Sequence, residues 1–146
     1  MTEKQDIRWQ QRYSNYHNIL AVLNRNLAES HPEDFDELEQ IGLTKSFELS
    51  FELSWKLIKD YLESQGIEIG LISPKNVLRI AASSGLLELV GVDGDTLLAA
   101  HKTRNELTHM YDEEAFQAAL FTVKAEYLAQ LNKIDNYFNL LVTSDG

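Results

Sequence analysis

The chain has 146 residues, 44% of them hydrophobic and 25% charged, the balance of one globular domain that closes a core without disulfides or a structural metal. It holds no cysteine, which excludes thiolate zinc sites, iron–sulfur clusters, a disulfide scaffold and a cysteine nucleophile together. Thirteen basic residues against 23 acidic ones give a formal net charge of −10, so any contact with RNA or DNA has to be local.

Residues 6–29 place Trp9, Tyr13, Tyr16, Leu20, Leu23 and Leu27 at alternating steps of four and three, one apolar stripe on a helix. Ser30, His31 and Pro32 interrupt it. The acidic stretch Glu33, Asp34, Asp36, Glu37 and Glu39 then reads as a solvated first turn, with carboxylates near a helix N-terminus. Phe47-Glu48-Leu49-Ser50-Phe51-Glu52-Leu53-Ser54 alternates like a half-buried strand and also repeats every four residues. Length decides for a helix, because the apolar run continues through Trp55, Leu57, Ile58, Tyr61 and Leu62 with no breaker before Gly66. Phe47, Phe51, Trp55, Ile58 and Leu62 form its stripe, which Leu49, Leu53 and Leu57 widen. So broad an arc predicts a central helix or half of a subunit interface.

Ser73-Pro74 reads as an N-cap and first helical position, opening a short helix that stops near Gly85. Residues 91–95 supply a loop and a cap, and the next helix runs from about Thr96 to Leu107. Asp112 caps a final helix bearing Phe116, Leu120, Val123, Tyr127, Leu131, Ile134, Phe138 and Leu141. The expectation is a single all-α domain over residues 1–146, an up-and-down antiparallel bundle of about five helices. No apolar run nears the ~18 residues of a membrane span and residues 1–10 are charged from the third onward, which predicts a cytoplasmic protein with no membrane partner.

Phosphate-binding glycine loops, Gly-x-Ser-x-Gly and His-x-x-x-His are absent, and the four histidines are not spaced as a metal cluster, so neither a metal nor a cofactor is expected. One stretch stands apart. Residues 101–111 hold His101 and His109, and residues 96–105 contain no carboxylate in an otherwise acidic chain. On a continuous helix His101, Arg104, Thr108 and Tyr111 share a face, whereas His109 points about 140° away from Arg104 at ~3.6 residues per turn. Arg104 and His109 therefore meet only if the helix unwinds near Thr108 or if two protomers share the site. The spacing equally suits plain roles, with Arg104 paired to Glu106 or another acid and His109 capping a helix C-terminus.

Arg104-Asn105-x-x-x-His109-x-Tyr111 resembles the Arg-x4-His-x-Tyr signature of HEPN-type proteins. More narrowly, the chain is similar to the bacterial nucleotidyltransferase substrate-binding protein family. Residues 47–56 resemble that family's Phe-Glu-x-x-x-Glu-x-x-Trp-Lys helix, and Ser73-Pro74-x-x-Val77-Leu78-Arg79 resembles its short helix. The resemblance implies a helical bundle that forms a homodimer, with Arg104 and His109 of both subunits lining one cleft. It also implies a small nucleotidyltransferase partner encoded nearby, as in HEPN/MNT toxin–antitoxin pairs.

Two functions follow from that likeness. In the first the chain is a metal-independent endoribonuclease: His109 moves the proton of the 2′-hydroxyl or of the leaving 5′-oxygen, Arg104 holds phosphoryl oxygens, and Lys102 and His101 attract the backbone. Tyr111 then matches the tyrosine that receives AMP from the partner, a modification that blocks the phosphate site. In the second the chain is a non-catalytic subunit whose Arg104, His109 and Asn105 bind a nucleotide for a separate nucleotidyltransferase. Glu48 and Glu52, with Lys45, Lys56 and Lys59 nearby, read as surface or interface ion pairs.

Overall fold

The computed structural model describes residues 3–144. They contain no β-strand; α1 spans Glu3–Leu27, α2 Glu37–Ser64, α3 Pro74–Ser83, α4 Leu86–Val90, α5 Gly94–Leu107, α6 Glu113–Thr122 and α7 Leu128–Ser144. A π-helical turn, Val123–Tyr127, joins α6 to α7 without a break in the backbone spiral.

Local chemistry sets the boundaries. Asp36 caps α2 by accepting from the Glu39 amide at 2.8 Å, while the Glu39 carboxylate accepts from the Asp36 amide at 3.0 Å, so the acidic stretch is a capping box. At the other end, Gly66 adopts φ 84°, and the amides of Gly66 and Ile67 return to Glu63 O and Leu62 O. That pattern closes orphan carbonyls through a left-handed residue, which glycine adopts without a Cβ penalty. Ser73 Oγ accepts from the Asn76 amide ahead of Pro74, and Asp112 Oδ1 accepts from the Ala115 amide. The cap of α5 differs from expectation. The helix starts at Gly94 rather than Thr96, so Asp95 falls inside its first turn, and Asp93 takes the cap position with the Thr96 hydroxyl on its Oδ2.

The long elements form an up-down-up-down bundle in the order α1, α2, α5 and α6–α7. Arg12 Nε donates to buried Asp60 at 2.8 Å and Trp9 meets Tyr61 edge-on at 5.4 Å, so the start of α1 lies beside the end of α2. His101 stacks on Phe51, whereas Leu107 and Thr108 border the same depression as Thr44 and Glu48, so α5 runs along α2 in the opposite direction. Tyr16 Oη donates to Leu131 O at 2.6 Å, and Asn24 and Asn132 exchange amide hydrogen bonds across α1 and α7. Burial, reinforced by the Asp135 carboxylate, pushes the Tyr16 phenol well above its ordinary range, so it stays a donor.

The centre is α2, which packs on α1, α3, α5, α6 and α7. Phe47, Phe51, Ile58 and Leu62 are buried as the stripe requires, and Leu57 joins them. The arc is narrower than the sequence suggests at its N-terminal half, where Leu49 and Ile41 remain exposed. Trp9, the first residue of the α1 stripe, and Arg12, to which the sequence assigns no role, anchor the α1–α2 seam. The π turn directs Tyr127 inward, where its ring stacks on Phe47 at 5.8 Å and its hydroxyl pairs with that of Thr103 on α5 at 2.9 Å. Among the described residues no helix is long and apolar enough to cross a membrane.

Candidate functional site

The third arm of the bundle, α5, carries the chemistry on two of its faces. One face, Leu98, His101, Lys102, Asn105 and Glu106, continues past the helix end to His109 and lines an open groove of about 860 Å³, whose other wall is Lys75 and Arg79 of α3. The helix stops at Leu107. The amides of His109 and Met110 bond to Glu106 O and Leu107 O, a tighter turn than the α-helical one, so the chain leaves the α-helix at Thr108 without bringing Arg104 into the lining beside His109. Lys102, Asn105 and His109, spaced by three and four, share a face by helical phase alone, and His101 sits beside them on the same surface.

Arg104 lies on the flank of that surface rather than in its lining. Its Nη2 donates to Glu52 Oε2 at 2.8 Å, and its Nη1 to Asn105 Oδ1 at 3.2 Å. Asn105 in turn sits 3.3 Å from His101 Nε2, so the guanidinium is tied to the groove wall through one side-chain amide. The acid partner is Glu52, not Glu106. Glu52 also accepts from Trp55 Nε1 at 3.1 Å and pairs with Lys56 at 3.0 Å. Partial burial opposes its ionisation, but the bonds from Trp55 and Lys56 and the Arg104 charge outweigh that and hold the carboxyl below the usual carboxylate range. Glu48 makes the surface pair expected of it, with Lys45 at 3.8 Å.

His101 has the opposite perturbation. Partial burial first, then the charges of Arg104 and Lys75, push its imidazole below the ordinary histidine value, with Glu52 pulling the other way. Its Nδ1 is buried without a hydrogen-bond partner, and its ring leans on Phe51. Neutral His101 thus presents an aromatic wall rather than a charge.

Tyr111 stands apart from the groove. It is 84% exposed, its hydroxyl donates to Thr108 O at 3.2 Å, and it borders a separate depression with Ile41, Lys45 and Phe116. Among the described residues no group of His, Asp and Glu side chains converges as a metal site would require.

Sequence reasoning reached four of the groove's side chains and passed over Lys75 as a site residue, while Arg79 entered only within a motif. A signal was there: residues 70–87 hold no carboxylate, and Lys75 and Arg79 sit four apart on a helix, hence on one face.

Residues 11–139 match the family model described as nucleotidyltransferase substrate binding protein like. The chain is also similar to a protein of Haemophilus influenzae named probable ribonuclease HepT, at 28% identity over 134 residues, covering 86% of this chain and 89% of that one.

Proposed function

The chain belongs to the nucleotidyltransferase substrate-binding-like family, and from that premise we propose that it is a metal-independent endoribonuclease of the HEPN type. The observation that carries this reading is the groove: in a chain of net charge −10 it collects the cations Lys75, Arg79 and Lys102 against the single acid Glu106, with the imidazole of His109 beside them. A relative named a probable ribonuclease, aligned over most of both chains, supports it.

The chemistry needs little more than these groups. RNA carries its own nucleophile, so His109 accepts the 2′-hydroxyl proton while the 2′-oxygen attacks phosphorus and the bond to the 5′-oxygen breaks. The proton returns to that oxygen from an imidazolium, either the same His109 or its copy in a homodimer. The products are a 2′,3′-cyclic phosphate and a free 5′-hydroxyl. Arg104 has five N–H donors, of which two are engaged by Glu52 and Asn105, leaving three for charge that grows on the phosphoryl oxygens. A small nucleotidyltransferase is the partner, in a toxin–antitoxin pair, and the exposed Tyr111 hydroxyl is the acceptor of its AMP.

The second reading, a nucleotide-binding subunit without catalysis, is favoured by one observation. Arg104 is drawn toward Glu52 by one of its N–H groups and does not line the groove.

Expression of the chain alone in bacteria tests the pair. The nuclease reading expects growth arrest and RNA cleavage that vanish in Arg104→Ala and His109→Ala, with cleavage by the pure protein surviving chelation of metals. Intact RNA together with nucleotide binding weakened by the same variants supports the binding subunit; intact RNA with binding unchanged refutes both. Incubation with the nucleotidyltransferase and ATP adds the mass of AMP in wild type and none in Tyr111→Phe.

A further inference from the structure

The groove has a second wall whose chemistry the nuclease reading leaves unused. Lys75 and Arg79 project from α3, one helical turn apart, roughly 6 Å along the axis. Both are exposed, and neither has a carboxylate within ion-pair distance among the described residues, although the chain carries 23 acids. Lys102, across the groove on α5, is likewise unpaired. Cations left without partners in so acidic a molecule are available to an external anion.

Arg79 is also held in place. Its Nη2 donates to Asn76 Oδ1 at 2.7 Å, and the Asn76 amide nitrogen is fixed by Ile69 O at 3.0 Å and Leu71 O at 2.8 Å. The connector before α3 is therefore latched to the residue that orients the guanidinium, which reduces the freedom lost when a phosphate binds. Between the two walls, exposed Leu98 and the neutral ring of His101 offer surface suited to a base rather than to another phosphate.

We propose that α3 supplies a strand clamp: Lys75 and Arg79 grip two successive phosphates of single-stranded RNA next to the one presented to His109. The inference rests on the RNA reading of the groove, and it makes the preferred ligand a strand rather than a mononucleotide. A free nucleotide offers its phosphate at one point and cannot span the scissile position and the clamp together. The clamp carries no base recognition, since its two cations meet only the backbone.

The test uses a fluorescent 2′-O-methyl oligouridylate, whose 2′-oxygens carry no proton to lose, so binding is read without cleavage. Anisotropy titrations are run over a range of salt for wild type, for Lys75→Ala/Arg79→Ala, and for Arg25→Ala/Lys133→Ala. The last pair removes the same charge from exposed positions on α1 and α7. The clamp variant is expected to bind roughly tenfold more weakly, and its plot of log K against log salt to be shallower by about 1.4, the value for two lost single-strand phosphate contacts. The control pair keeps the wild-type slope. Affinity for AMP is expected to be unchanged in the clamp variant.

A clamp variant that matches the control pair overturns the proposal, as does equal weakening toward AMP and the oligouridylate, or an oligouridylate that wild type does not bind. Cleavage of ordinary RNA is scored separately. Wild type that binds the oligouridylate through the clamp but leaves RNA intact retires the nuclease and leaves the clamp standing.

Discussion

Breaking the Glu52–Arg104 pair measures how firmly the signature arginine is held. Two unit charges 4 Å apart attract by about 4 kcal/mol at an effective dielectric of ~20, and desolvation with side-chain ordering takes most of that back. Exposed pairs retain about 0.2–1 kcal/mol, and charge-assisted hydrogen bonds in better shielded places about 1.5–3 kcal/mol. Here the N–O distance is 2.8 Å and the side chains are 27% and 25% exposed, between those cases. A coupling of about 1–2 kcal/mol is therefore expected. The perturbation is a double-mutant cycle of Glu52→Gln and Arg104→Gln, read by urea unfolding of the four proteins. Each single variant also disturbs Trp55, Lys56 or Asn105, and the cycle cancels those effects to the extent that they are independent. Arg104→Lys keeps the charge but not the fork, so it is expected to recover less than half of the coupling, because an ammonium cannot serve Glu52 and Asn105 in one plane. A coupling below about 0.3 kcal/mol, or full recovery with lysine, refutes the picture of a clamped guanidinium.

Two further outcomes follow from the packing. His101 has its folded-state value depressed below the ordinary 6.5, so between those two values the unfolded chain binds more protons. Its contribution to stability is present above 6.5 and is lost as pH falls toward the folded value. The stability difference between wild type and His101→Asn should shrink on acidification through that window in urea titrations, and a difference that is flat or grows contradicts the assignment. Phe138 is fully buried and meets Trp9, Tyr61 and Tyr137 at 5.3–5.7 Å, so Phe138→Ala should cost about 3–5 kcal/mol by urea unfolding, whereas a loss under about 1.5 kcal/mol would mean the seam collapses around the cavity.

The long helices were readable because burial imposes a period. Trp9 through Leu27 step by four and three without exception, and every member of that stripe is buried. Leu86–Val90 escaped because five residues are too few to show a period, although the flanking Gly85 and Gly91, both at positive φ, marked its ends. The π turn left no trace of its own: Val123, Tyr127 and Leu131 are spaced by two consecutive fours, but so are Phe47, Phe51 and Trp55 in the regular helix α2, and all six are buried. Part of the site was legible for a chemical reason, the missing carboxylates around His101 and Lys102. The Glu52–Arg104 bond was not, since it joins residues 52 positions apart and Glu52 has an equally good local partner in Lys56. Glu52 holds both, and only the antiparallel course of α5 along α2 brings Arg104 to it.

The groove's outermost imidazole belongs to His109, two residues past the end of α5, where tight-turn hydrogen bonds replace the helical ladder. Inserting one residue between Leu107 and His109 would carry that ring to another bearing, while Leu107 and the cap of α6 kept their seats. On the nuclease reading, drift in this short tether would disarm the molecule without unfolding it, and leave every side chain of the signature in the gene.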